Sequence, residues 1–134
     1  MRATTTPFLE QRDADAIAFG KQLLKAAASP REKVAVWALV EEREILTVAA
    51  VRRNLASQSG SGRVKFTWQH LVCGLYGLGL DDAERAFVDL VLSIAWPHQT
   101  SLMRVMDLDE RRLAIVLQAM ARLAGNKTIT ITAR

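Results

Sequence analysis

The stretch that most constrains the fold is residues 98–125, HQTSLMRVMDLDERRLAIVLQAMARLAG. It reads as a short helix, a tight polar turn and a longer helix. Asp107 is a good N-cap, because its carboxylate can accept from the unpaired amides of the turn that follows. Glu110 stands three residues later, where it completes a capping box. Before the turn, Leu102, Val105 and Met106 share one face at helical spacing. After it, a helix over 108–124 carries Leu113, Val116, Leu117, Met120, Leu123 and Ala124 on one stripe, within about a third of the circle at roughly 100° per residue. That stripe is the expected core face, packed against Phe87, Leu90 and Ile94 of the preceding helix. Gly125 ends the element, as glycine commonly does just past a helix C-terminus.

The opposite face holds Arg111, Ala114, Ile115, Gln118 and Arg122. Arg and Gln side chains read base edges in the major groove, and Ala or Ile can touch a thymine methyl. Residues 81–134 run as a helix from Asp82 to Ala95, a short helix from Ser101 to Met106, the turn Asp107-Leu108-Asp109, a third helix and a strand-like tail. This order resembles the winged helix-turn-helix superfamily, in particular its MarR-like arrangement. The resemblance implies binding of double-stranded DNA, with the third helix in the groove and the tail strand as part of a wing. Arg111, Ala114, Gln118 and Arg122 are then the candidate base-reading residues. A plainer reading stands beside it: an amphipathic helix with a solvated polar face. The run Leu113-Ala114-Ile115-Val116-Leu117 is unusually apolar for a polar groove, and Ile115 can mark a second buried surface such as a dimer interface.

A chain of 134 residues, half of them hydrophobic, is long enough to bury its own core as one domain. No apolar run is long enough to span a bilayer, and the N-terminus, MRATTTPFLEQRD, lacks the apolar core of a signal peptide. Cys73 is the only cysteine, so no intrachain disulfide can form. These features together suit a cytoplasmic protein with no membrane partner. Net charge is +4, and residues 81–134 are neutral with seven basic and seven acidic side chains, so the excess lies in residues 1–80. There Arg52, Arg53, Arg63 and Lys65 occur with no acid between them and flank the flexible tract from Ala56 to Gly62. Such a basic loop is a candidate phosphate contact. It is equally an ordinary solvated loop, and the neutral C-terminal half argues against that half binding DNA by itself.

Along the chain, Thr6-Pro7 can start a helical turn, and residues 13–28 form a helix with Ile17, Phe19, Leu23 and Leu24 on its apolar side. Ser29-Pro30-Arg31-Glu32 is a restart signal: Ser caps, Pro takes the first helical position and Glu32 closes the box. Residues 31–57 contain almost no breaker and read as one long helix or as two broken near Glu44 to Thr47. Residues 63–66 alternate as a short strand. Thr67 caps a helix to Leu78, and Asp81 with Glu84 boxes the next, whose apolar face is Phe87, Leu90, Val91, Ile94 and Ala95. The tail, Thr128 to Thr132, alternates Thr with Ile, and as a strand it needs residues 63–66, the N-terminal Thr run or another chain to pair with. Residues 30–80 and 81–134 faintly echo one another, each running long helix, shorter helix and a helix ending near Gly.

Catalytic chemistry is hard to find. His70 and Cys73 lie three apart on one helix, but no third group orients them as a nucleophile pair, and a buried cysteine is the commoner case. One Cys and two His have no metal-ligand spacing, and no glycine-rich phosphate loop follows a strand. No enzyme, metal or cofactor is implied. Trp37, Trp68 and Trp96 read as core or interface anchors. The expected fold is mainly α, with six or seven helices in one domain, a helix-turn-helix-like C-terminal half and a minor β element. The leading expectation for function is a small, dimeric DNA-binding regulator. The alternative is a helical protein-interaction module using Ile115, the glycine-containing face of residues 71–79 and an exposed strand.

Overall fold

A computed structural model of the chain describes residues 6–133, with side chains from Gln11 onward. Six α-helices and one β-hairpin follow in order: α1 (Thr6–Ala26), α2 (Pro30–Glu42), α3 (Ala49–Leu55), β1 (Ala56–Gln58), β2 (Val64–Phe66), α4 (Trp68–Gly74), α5 (Asp82–Ala95) and α6 (Glu110–Leu123). Short 3-10 turns cover Ile45–Thr47, Leu75–Gly77 and Leu102–Asp107. The fold is mainly α, as expected. Among the described residues no helix is long and apolar enough to cross a membrane.

The central element is α5. Its start is fixed by Asp81, whose carboxylate accepts from the Glu84 amide at 2.8 Å while the Glu84 side chain accepts from the Asp81 amide at 3.0 Å. Phe87, Val88, Val91 and Leu92 are buried, so this helix sits inside the bundle rather than on it. Its C-terminal carbonyls are collected by one side chain. Arg31, beside the Pro30 that opens α2, donates to Ile94 O at 2.6 Å, Trp96 O at 3.1 Å and Ser93 O at 3.3 Å. A cation at the carbonyl end of a helix satisfies orphan acceptors and the helix dipole together. The start of α2 is thereby tied to the end of α5. Ser29 caps α2 through the Glu32 amide, and Glu32 also accepts from the Trp68 indole at 3.1 Å. One continuous buried cluster runs from Ala16 in α1 to Ala119 in α6.

Residues 31–57 break into α2, a 3-10 turn and α3. Val48 stands at the α3 N-cap, and the Thr47 hydroxyl donates back to Glu44 O at 2.5 Å. Residues 64–66 do form a strand, but its partner is the segment expected to be helix end and loop. Ala56 pairs with Phe66, Ser57 with Lys65 and Gln58 with Val64 in an antiparallel ladder. Gly62, at φ 81°, supplies the left-handed residue that the connecting loop needs. Phe66 stacks on Trp68 at 5.0 Å and so holds the hairpin to the core.

Three expectations about the C-terminal half are corrected. The tail forms no strand: residues 128–132 carry no ladder, and β2 is already paired. Thr4 and Thr5 of the N-terminal Thr run, the other proposed partner within the chain, lie outside the described residues. The second correction concerns the orientation of α6. Its buried residues are Arg112, Ile115, Val116 and Ala119, whereas Leu117 is 39 % exposed and Met120 51 %. The helix is turned by roughly one residue, about 100°, from the orientation its apolar periodicity favours. Its start also differs. Asp109 occupies the N-cap position, and Asp107 ends the preceding 3-10 turn.

The rotation of α6 predicts opposite outcomes for neighbouring substitutions. Ile115→Ala should cost about 2–5 kcal/mol, as for other buried aliphatic truncations, while Leu117→Ala should stay within about 1 kcal/mol. Urea denaturation of the two variants checks this, and equal losses would restore the original face assignment.

Candidate functional site

The reason for the α6 rotation lies at the end of α2. Glu42 is its last residue and is wholly buried, at 0 % exposure. A buried carboxylate must be paired and hydrogen-bonded or it is strongly unfavourable. One oxygen accepts from the Ile45 amide at 2.8 Å. The other accepts from Arg112 Nη2 at 2.8 Å, Arg112 Nε at 3.0 Å and Arg111 Nη2 at 3.3 Å. Arg112 also reaches Glu44 at 2.8 Å and Asp109 at 3.1 Å, and Arg111 Nη1 donates to the Glu42 carbonyl at 3.0 Å. Both arginines begin α6, so meeting Glu42 fixes the roll of that helix. The Asp109 side chain makes no capping bond and instead accepts from the Arg112 guanidinium.

This anchor decides where the candidate base-reading residues sit. Arg111 is held on Glu42 and Glu44. The Gln118 amide is occupied by the tail, donating to Ile129 O at 3.2 Å and accepting from the Ile131 amide at 2.8 Å. Arg122 lies over the Trp37 ring of α2 at 4.0 Å, a cation–π contact. Ala114 is half-buried. The face read as facing DNA is therefore engaged with α2 and the tail, although Arg122 itself stays exposed. Ile115, offered as a second interface, belongs to the core. Gln118 serves the tail in place of the missing neighbouring strand.

The basic set is placed differently. Arg52 donates to Leu46 O at 2.8 Å and is half-buried. Arg53, Arg63 and Lys65 are exposed, and their side chains make no hydrogen bond or ion pair among the described residues. Residues 45–80 contain these four cations and no acid, while residues 1–44 and 81–134 each balance seven basic against seven acidic side chains. The whole net charge of +4 thus sits on the segment spanning α3, the hairpin and α4.

A third feature was not anticipated. Between α5, the Leu75–Gly77 turn and residues 98–107 lies a groove of about 810 Å³. Its floor is the buried Asp89 of α5. One carboxylate oxygen meets His98 Nε2 at 2.5 Å; the other accepts from the Thr100 hydroxyl at 2.5 Å and from Arg104 Nε at 3.1 Å. Arg104 goes on to donate to the Tyr76 hydroxyl at 2.9 Å, and Arg85 lies over the Tyr76 ring at 4.9 Å. Met103, Met106 and Tyr76 line the groove. An acid inside the apolar run of Phe87 to Ile94 is the signal that could have pointed here, since such an acid needs donors brought by another segment. His98, Thr100 and Arg104 follow within fifteen residues.

His70 and Cys73 form no pair: both are exposed, and no hydrogen bond joins them among the described residues. No group of metal-ligating side chains is present among the described residues. The chain matches no family model, no curated protein and no solved structure.

The Asp89 cluster carries a pH dependence. Burial alone would raise its carboxyl, but hydrogen bonds from Thr100 and His98 and the charges of His98 and Arg104 outweigh it and hold the group below its ordinary value of 3.8. Asp109 is lowered too, since its hydrogen bond and ion pair with Arg112 outweigh burial. A folded value below the unfolded one means that the unfolded chain takes up protons first. The stabilisation is then complete above the ordinary carboxylate value and is lost as pH falls through the lower folded value. The urea midpoint should therefore drop as pH falls below about 4, and Asp89→Asn should flatten part of that slope. An identical slope in the variant would detach Asp89 from the acid sensitivity.

Proposed function

We propose that the protein is a helical protein-interaction module and that its groove receives a second copy of this chain. The observation that carries this reading is the groove rim. Tyr76, Met103 and Met106 line one groove and remain 69 %, 70 % and 78 % exposed. Large apolar side chains gathered at one exposed site mark interaction surfaces more often than solvent faces, and methionine adapts to the shape of what it meets. The floor beneath the rim is braced, because Asp89 is satisfied on both oxygens. The chain also carries a matching ridge. The rotation of α6 leaves Leu117 and Met120 outward, on the side away from Arg111, Gln118 and Arg122. Groove to ridge and ridge to groove is a reciprocal contact that a two-fold axis can close.

A second reading, a DNA-binding regulator, is favoured by one observation: the concentration of all net charge on residues 45–80. On this reading Arg53, Arg63 and Lys65 touch phosphates, and the contact is independent of base sequence because Arg111, Gln118 and Arg122 are engaged within the chain.

Sedimentation equilibrium over a wide concentration range tests the first reading. A monomer–dimer equilibrium is expected, with Met103→Glu and Met106→Glu each weakening it by more than about tenfold. A monomer at every concentration would reject self-association. Anisotropy of labelled duplex at several salt concentrations tests the second. Binding should weaken steeply with salt, and Arg63→Ala should lower the slope by about one ion. Absence of binding at low salt would remove DNA from consideration.

A further inference from the structure

The end of α2 holds a second cavity, separate from the groove and from the basic hairpin. Arg43 follows Glu42 with φ 74° and ψ −39°, the one non-glycine residue of positive φ among the described residues. The Glu44 amide donates across it to Glu42 O at 3.0 Å. A positive φ with a hydrogen bond spanning one residue is the γ-turn of the rare, strained type. Such strain persists only where the surroundings over-determine the backbone, and it clusters at ligand sites. The constraint here is visible. Glu42 on one side is locked by Ile45, Arg111 and Arg112, and Glu44 on the other by Arg112.

What the turn achieves is the placement of the Arg43 side chain. It lines a cleft of about 640 Å³ between α1 and the end of α2. The walls are mainly apolar, with Ile17 and Leu24 from α1 facing Val40 and Leu46. Ile17 and Leu24 were expected in the core, yet they are 60 % and 46 % exposed because they border this opening. Lys21 stands on the α1 wall between them in sequence. The side chains of Lys21 and Arg43 make no hydrogen bond or ion pair among the described residues, while the Arg43 amide donates to Leu39 O. The acids Glu42 and Glu44 in the lining are already matched by Arg111 and Arg112; Asp13 also borders the cleft.

We infer that this cleft binds a small amphipathic carboxylate, with the apolar chain along Ile17, Leu24, Val40 and Leu46 and the anionic head between Lys21 and Arg43. The volume and the mostly apolar lining with a few charged groups at its border are those of a small-molecule site. A carboxylate suits the guanidinium fork of Arg43. The acids Glu42 and Glu44 do not repel it, because their charge is spent on the arginines of α6.

Calorimetric titration of the full chain with decanoate, decanol and decylamine, each kept below its micelle concentration, tests the inference. Decanoate should bind, decanol about tenfold more weakly, and decylamine not detectably. The decisive variant is Arg43→Gly. Glycine tolerates positive φ, so the melting temperature should rise while decanoate affinity falls about tenfold. A purely structural role for Arg43 predicts no such loss. Lys21→Met should lose affinity by a similar factor with an unchanged melting temperature. Equal binding of decanoate and decylamine, or undiminished decanoate affinity in Arg43→Gly, would overturn the proposal. Recruitment to phosphatidylglycerol vesicles without affinity for soluble decanoate would overturn it as well, by placing the site at a membrane surface.

Discussion

One buried carboxylate governs the arrangement of the helices. Glu42 ends α2 with no access to water, and among the described residues only the two arginines that begin α6 neutralise it. Desolvating these groups is costly, and replacing such a cluster with apolar side chains can leave a protein equally stable. What the cluster contributes is specificity of arrangement. It sets the roll of α6 against α2, ends α2 in a strained turn and brings Glu44 and Asp109 into the same network. Three surfaces inherit their form from it: the engaged face of α6, the outward ridge of Leu117 and Met120, and the cleft bordered by Arg43.

The chain handles its charges in two separate ways. Within the helical core, buried acids are met by groups from other elements: Glu42 by Arg111 and Arg112, and Asp89 by Arg104 with a hydrogen bond to His98. Around the hairpin nothing is matched, since residues 45–80 hold cations alone. The first pattern fixes structure; of the second set, Arg53, Arg63 and Lys65 stay exposed while Arg52 is tied to Leu46 O. A reading that weighs every surface cation equally would combine Arg111 and Arg122 with Arg63 and Lys65, although their surroundings differ completely.

The elements legible in sequence were those where local signals agreed. α5 has a capping box, an uninterrupted apolar face and a Pro just beyond its end, and it forms as expected. The restart at Ser29-Pro30 is the same kind of case. α6 was legible as a helix but not in its orientation. Hydrophobic periodicity treats Arg112 as solvent-facing, and the partner that draws it inward is 70 residues away. The β1 strand carries no alternation, because Ala56-Ser57-Gln58 has only Ala56 turned into the core. The tail shows the reverse, alternation with no strand to receive it. For the candidate sites, the cations of the hairpin were legible from composition. The groove was not, since Asp89, His98 and Arg104 converge only once residues 98–107 fold back on α5.

The Gln118 clamp has a consequence for dynamics. Its amide presents one donor and one acceptor to the backbone of residues 129–131, the same pair of bonds that a neighbouring strand would offer. A ladder spreads such bonds over successive residues, so that each pair reinforces the next. A single side chain cannot do this. The tail is then a separate unit of low cooperativity, able to detach by rotation about the Gln118 side-chain torsions while the Glu42 anchor and the α5 core stay intact. Local opening of this kind spans a free-energy range well below global unfolding. Release of the tail would return the Gln118 amide to water and leave the helices beneath unchanged.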